Sequence, residues 1–249
     1  MTDLATYSRS GPVGTIVIDD GKANVMSLAM LNALHRAFDQ AEKDQAVVIL
    51  KARGKHFSGG FDLSVFAKGS AEDQYLMVKA GAELALRILS FPTPVVAACQ
   101  GNAYPMGAFL IMSSDHRIAV EGDYRIGMNE VAIGLTVPRF AIEIARQRLT
   151  PAYFSRVVIT AEMFGPAEAV TAGFSKRDGV SYTCLWLNDQ GFKRAMASGR
   201  YDMAGRISLT ASETFVKRNQ NRTLKENYDA QTASIALYKA HGLAIEKAA

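Results

Sequence analysis

The stretch AYPMGAFLIMSSDHR, residues 103–117, decides how this chain is read. It follows an apolar run, PVVAACQ, that passes through Gly101 into a turn at Pro105-Met106-Gly107. The apolar segment that follows holds no acid or base before Asp115. A β-branched run bounded by prolines and a glycine reads as a buried strand, and the turn behind it as the start of a helix. Pro105 has no N–H and its fixed backbone angle suits a first helical turn, so the free donors there belong to Met106 and Gly107.

The same alternation repeats upstream. VGTIVIDD, residues 13–20, is β-branched and bounded by Gly11-Pro12 and Gly21, which predicts a strand. Ser27 is placed as the N-cap of LAMLNALHRAFDQAEKD, where Leu28, Leu31, Leu34 and Phe38 recur at helical spacing. AVVILKA, residues 46–52, predicts a second buried strand, followed by the glycine-rich turn HFSGGFD. A helix is expected over residues 72–89, ended by the prolines of FPTP. Three strand–helix alternations argue for an α/β sheet layered with helices. From Pro138 onward the pattern turns helical: PRFAIEIARQRL, PAYFSRVVIT, PAEAVTAG and one long run over residues 209–247. No linker or internal repeat interrupts the chain, so a single domain over residues 1–249 with a helical C-terminal part is expected.

Composition narrows the function. A chain of 249 residues, 49% hydrophobic and 21% charged, has the make-up of a globular domain. The net charge of +4 is too small to argue for a nucleic-acid partner. A basic cluster over residues 217–225, including Lys217 and Arg218, reads either as a solvated helix face or as a site for a phosphorylated ligand. The N-terminal MTDLATYSRSG lacks the apolar run of a signal peptide, and the longest apolar stretches are far short of a membrane span, so a cytoplasmic protein is expected. Cys99 and Cys184 are isolated, and His35, His56, His116 and His241 show no zinc spacing, so no metal is expected.

Two glycine-bearing turns, Ser58-Gly59-Gly60 and Pro105-Met106-Gly107, each follow a buried strand and precede a helix. Such turns leave backbone N–H groups unpaired, at the positive end of a helix dipole. Each turn alone reads first as plain structure. Together they could direct two N–H groups at one carbonyl oxygen, the geometry of an oxyanion hole. Neither turn reads GxGxxG, and no Walker sequence is present.

HFSGGFDL at 56–63, GNAYPMGAFLIMSSDHRIA at 101–119 and YRIGMNEVAIGL at 124–135 resemble the enoyl-CoA hydratase/isomerase, or crotonase, superfamily. KANVMS at 22–27 and PAEAVTAGF at 166–174 extend the resemblance in family order. It implies a spiral of ββα turns, an acyl-CoA thioester as substrate, a homotrimer or hexamer, and no cofactor beyond the coenzyme A of the substrate. Carried over by position, it makes the N–H groups of Gly59 and Met106 the oxyanion donors. Gly60, Phe61, Asp62 and Leu63 would line the CoA side of the pocket, with Ala23 and Val25 opposite and Phe109 and Asn129 also in the substrate site. Asp62 reads equally as a residue that holds its own turn.

The resemblance has one decisive departure. A hydratase of this family would carry glutamates at positions 109 and 130, and position 109 is Phe109. Adding water across a double bond divides proton removal and delivery between two carboxylates, and Phe109 does neither. Glu130 lies among Ile126, Met128, Val131 and Ile133, so it is either a surface glutamate or a base in an apolar wall. Proline in the second turn and Asn-Glu at 129–130 resemble the Δ3,Δ2-enoyl-CoA isomerase branch, which works with one such glutamate. The alternatives are another reaction of the family or a catalytically silent acyl-CoA binder. Beyond Phe174 the resemblance deteriorates, and the glycine-broken segment over residues 175–206 has no assigned structure.

Overall fold

The computed structural model of the protein describes residues 3–171, 189–199, 203–207, 212–220 and 222–246. Cys184, the Gly173-Phe174 end of the PAEAVTAGF motif, much of the 175–206 segment and both ends of the 209–247 run lie outside them. The chain divides into two compact units, Met1–Ser175 and Lys176–Ala249.

The first unit is built on a five-stranded sheet. Its strands are β1 (Ala5–Ser10), β2 (Val13–Ile18), β3 (Val47–Ala52), β5 (Val95–Cys99) and β7 (His116–Ala119), in that spatial order. β1 pairs antiparallel with β2, and every other pairing is parallel. Parallel neighbours require crossovers, and helices supply them. α1 (Leu28–Lys43) joins β2 to β3, and α3 (Ala71–Leu89) precedes β5. The Ser27 hydroxyl accepts the Met30 N–H, as its N-cap position predicts, and Leu31, Leu34 and Phe38 are buried.

A second, smaller layer runs beside the main sheet. Strand β4 (His56–Ser58) pairs parallel with β6 (Asn102–Ala103), and single bridges link Met26 to Phe61, Ala103 to Ile126 and Ile126 to Phe164. After leaving the main sheet, each turn of the chain therefore touches this layer before the next helix begins. That is a spiral of ββα turns. The layer matters for function because it sets the two glycine-bearing turns side by side.

Several elements were not legible, the short strands β4 and β6 of the second layer among them. β1, with the sequence ATYSRS, is a mostly exposed edge strand whose polar residues give no apolar alternation. β7 is the opposite edge, and its charged start, His116-Arg117, hides the strand. The short helix α2 (Leu63–Lys68) starts inside the HFSGGFD turn region, capped by Asp62. α4 (Pro105–Ser113), α5 (Arg139–Arg148), α6 (Pro151–Val158) and α7 (Pro166–Thr171) match the helical runs read from the sequence.

In the second unit, α8 (Asp189–Ser198), α9 (Glu213–Gln220) and α10 (Leu224–Ala240) accompany a short parallel pair, β8 (Gly205–Arg206) with β9 (Ile245–Glu246). The long C-terminal run is thus two helices rather than one. The Thr223 side chain accepts the Glu226 N–H while the Glu226 carboxylate accepts the Thr223 N–H, a reciprocal cap that begins a new helix at Leu224. Lys217 is exposed, and Lys225 pairs with Asp229 at 2.6 Å on the α10 surface, as a solvated face would. The Arg218 side chain lies outside the described residues. Among the described residues no helix is long and apolar enough to cross a membrane.

Candidate active site

The first turn leaves β4 as Ser58-Gly59-Gly60-Phe61, and its hydrogen bonds decide which donors are free. The Gly59 N–H donates to the Ala23 carbonyl at 2.7 Å, and the Gly60 N–H donates to the Ser58 hydroxyl at 3.1 Å. Gly59 is therefore not an available oxyanion donor, contrary to its expected role. The Met26 N–H takes the Gly60 carbonyl at 2.8 Å, which pins the turn to the 23–26 segment. Gly60 bends the chain at φ +88, a conformation L side chains rarely adopt. Beyond that bend, the Phe61 N–H has no hydrogen-bond acceptor among the described residues.

The second turn leaves β6. Tyr104 donates its N–H to the Ser58 carbonyl at 2.9 Å and is the N-cap of α4, with Pro105 at the first helical position. The first intrahelical bond runs from the Ala108 N–H to the Tyr104 carbonyl at 3.1 Å. The Met106 N–H precedes it and has no acceptor among the described residues, as helix termini require. The two turns abut: a Cβ built on Gly60 would stand 3.4 Å from Pro105 Cδ. Gly81 of α3 holds their side chains together, because a Cβ there would stand 2.6 Å from the Phe61 ring and 3.2 Å from Met106 Sδ. The free donors thus belong to Phe61 and Met106.

A cavity of about 370 Å³ opens beside these turns. Gly59, Gly60, Phe61, Leu63, Asn129 and Glu130 line it, as predicted. Phe66, Val78, Tyr104, Pro105, Ile133, Leu135, Thr136 and Pro138 also line it and were missed. The signals for these were present but unspecific: apolar residues just after a turn or beside the acid. Five expected residues do not line it: Met106 is fully buried, its neighbours Tyr104 and Pro105 lining the cavity instead, and four others stand elsewhere. Ala23 and Val25 lie behind Gly59, whose built Cβ would contact both. Asp62 accepts the Ser64 N–H at 2.9 Å and the Ser64 hydroxyl at 2.7 Å, so it caps α2. Phe109 is fully buried, edge-to-face with Phe140 at 5.5 Å, and belongs to the core.

Glu130 is the carboxylate of the cavity wall. It begins a 3₁₀ turn over Val131–Ile133 that closes at Gly134, whose φ of 76 permits the left-handed bend. Its carbonyl accepts the N–H groups of Ile133 and Leu135 at 3.1 and 2.9 Å, which fixes the backbone. Its residue is 5% exposed, and neither side-chain oxygen has a hydrogen-bond partner among the described residues. Burial pushes its carboxyl up from 4.5 to about 7, because the charged form loses water and its own backbone N–H offsets only part of that loss. Among the described residues that line the cavity, no second carboxylate stands with it. A carboxyl pushed up to about 7, in the wall of a cavity that reaches the 59–61 turn and the start of α4, can take and return a proton near neutral pH.

The geometry agrees with sequence and structure comparisons. The model of the enoyl-CoA hydratase/isomerase family matches residues 8–177. A probable enoyl-CoA hydratase of Bacillus subtilis is 36% identical over 163 residues, 64% of this chain and 60% of that protein. A peroxisomal enoyl-CoA delta isomerase 2 of Arabidopsis thaliana is 27% identical over 173 residues, 65% of this chain and 72% of the relative. The chain spans about 60% of the length of the first of these curated relatives. Among solved structures, a family protein from Pseudomonas syringae superposes with a TM-score of 0.67 at 36% identity, covering 97% of this chain and 99% of that one. An enoyl-CoA isomerase from Mycobacterium tuberculosis superposes with a TM-score of 0.66 at 34% identity, covering 96% and 99%. The spiral is the crotonase fold, and the chain belongs to the enoyl-CoA hydratase/isomerase family.

Proposed function

We propose that the protein isomerises an unsaturated acyl-CoA thioester, moving a double bond from C3–C4 to C2–C3. The observation that carries this reading is the single carboxylate: Glu130 is unpartnered in the cavity, and Phe109 lies in the core where a hydratase of this family would hold its second glutamate.

One carboxylate suffices for this reaction. Glu130 removes a proton from C2, and the electron pair spreads through a dienolate to the thioester oxygen. The same proton returns from Glu130 to C4, so atoms and charge balance without water. The Phe61 and Met106 N–H groups stabilise the oxyanion, and losing one such donor typically costs about 3 to 4 kcal/mol. A carboxyl raised to about 7 is poised between the two roles near neutral pH, since it must be ionised to accept and protonated to give. The apolar walls, Phe66, Val78 and Leu135 among them, keep water from competing for the dienolate.

A solved structure 34% identical and a curated relative 27% identical are named as isomerases, which supports the reading, while most of the other relatives are named as hydratases. The test is a paired assay: trans-3-hexenoyl-CoA is expected to convert to the 2-enoyl product while crotonyl-CoA is not hydrated. Hydration of crotonyl-CoA at a rate typical of enzymes would overturn the proposal. Binding of both thioesters without turnover would instead favour a silent acyl-CoA binder.

A further inference from the structure

A second, smaller cavity of about 40 Å³ lies in the first unit between α4, the Ile126–Phe164 bridge and the ends of α5 and α6. Its walls are apolar, Ile111, Met112, Val157 and Phe164 among them, yet two arginines, Arg117 of β7 and Arg148 at the end of α5, also line it. Both residues are half-buried, and they stand close enough for the Arg148 charge to act on Arg117. Among the described residues neither guanidinium has a carboxylate within ion-pair distance. Arg117 Nη1 donates to the Ser114 carbonyl at 3.3 Å, and Arg148 Nε is buried without an acceptor. The Asp115 carboxylate, which also accepts the Val95 N–H at 2.8 Å, favours the Arg117 charge, but less than burial and Arg148 oppose it.

This arrangement is costly as it stands. A partly buried lysine could shed its proton to escape a like-charged neighbour, but an arginine keeps its charge. Burial first, and then the charge of Arg148, lower the Arg117 pKa, so the two cations destabilise one another. The C-terminal dipole of α5 offsets only a fraction of one charge at Arg148 and leaves its Nε proton unpaired. An anionic oxygen pair between the two guanidiniums would satisfy both, and planar carboxylates match that fork geometry.

We infer that the Arg117–Arg148 cavity binds a small carboxylate, its oxygens on the two guanidiniums and its short alkyl part against Ile111, Met112, Val157 and Phe164. The room available, equivalent to about three water molecules, suits an acetate-sized group rather than a fatty chain. The site is separate from the Glu130 cavity and shares no lining residue with it.

The probe is acetate. Thermal unfolding of the wild-type protein is followed against sodium acetate and against sodium chloride at equal ionic strength, with calorimetric titration of acetate alongside. A saturable rise in Tm of a few degrees is expected with acetate over chloride. Arg148→Met and Arg117→Met should each weaken acetate binding at least tenfold, while Arg148→Lys, which keeps the charge but not the fork, should weaken it less. Superimposed acetate and chloride curves for the wild type would overturn the inference without reference to any variant. So would acetate binding retained in both methionine variants, or lost in Glu130→Gln, since the latter places acetate in the larger cavity. If a methionine variant fails to fold, the wild-type titration and Arg148→Lys still decide.

Discussion

Replacing Glu130 with glutamine should stabilise the protein progressively as pH rises. The wild-type carboxyl titrates near 7 when folded, because burial strips its water, and near 4.5 when unfolded. Between those values the folded chain holds a proton that the unfolded chain has released, so stability falls as pH climbs through the window and levels off above it. A displacement of 2.5 pH units from these two values corresponds to about 3 kcal/mol in total. About 2.5 kcal/mol of it falls between pH 5 and pH 8. Glutamine does not titrate, and whatever its amide loses by lacking a partner is the same at every pH. The difference in unfolding free energy, variant minus wild type, should therefore grow by about 2.5 kcal/mol from pH 5 to pH 8. Urea unfolding of both proteins across this range, without ligand, measures it directly. A difference that stays flat to within about 0.5 kcal/mol would mean the Glu130 carboxylate is solvated or paired in solution, and the argument from burial would be refuted.

The same titration sets the rate, so kcat/KM for trans-3-hexenoyl-CoA should rise about tenfold per pH unit below about 7 and flatten above it; an inflection near the ordinary carboxylate value would contradict a buried base. Met106→Pro deletes a proposed oxyanion donor without touching Glu130, and turnover should fall roughly 10²- to 10³-fold, with folded content checked by circular dichroism. Gly101→Ala would set a Cβ 2.1 Å from the Lys55 carbonyl oxygen, so the two strands of the second layer must part; a loss of about 3 kcal/mol or more is expected in chemical denaturation.

The main sheet was legible because its inner strands are mostly apolar on both faces, one fully buried and the other largely half-buried, and so read as apolar runs. Val47–Ala52 and Val95–Cys99 fall within one residue of the runs that announce them. The edges were not, since β1 and β7 carry Thr6, Ser8, Arg9 and His116 toward solvent and lose the pattern that marks a strand. Helix starts were legible where a side chain does the capping, as at Ser27. The break before Leu224 was not, because Thr223 and Glu226 sit in a run whose composition alone favours a helix throughout. Glu130 could be read from its apolar neighbours, although Val131 and Ile133 are about half exposed and the cavity wall also takes in the half-buried Leu135, Pro138 and Phe66.

The proposed oxyanion donors show why a backbone site is harder to read than a side-chain site. A carboxylate announces itself by its letter, whereas an N–H is present at every residue except proline, and only its hydrogen bond tells whether it is spent. In the 58–61 turn the Ala23 carbonyl takes the Gly59 N–H, and the Ser58 hydroxyl takes the Gly60 N–H while donating to the Asn24 carbonyl at 2.8 Å. These capture events depend on Asn24, which is held at φ 54 with its amide donating to the Arg53 and His56 carbonyls at 2.9 and 2.8 Å. Asp20 in turn accepts the N–H groups of Lys22, Asn24 and Val25, which keeps the 20–25 loop in place against β4. The glycines therefore serve as the fixed base of the turn, anchored more than 30 residues back in sequence, and the donor that remains free is the one past the bend at Gly60. A local reading of Ser-Gly-Gly finds the turn correctly and the donor two residues too early, because the deciding contacts come from a loop that only the tertiary fold brings alongside.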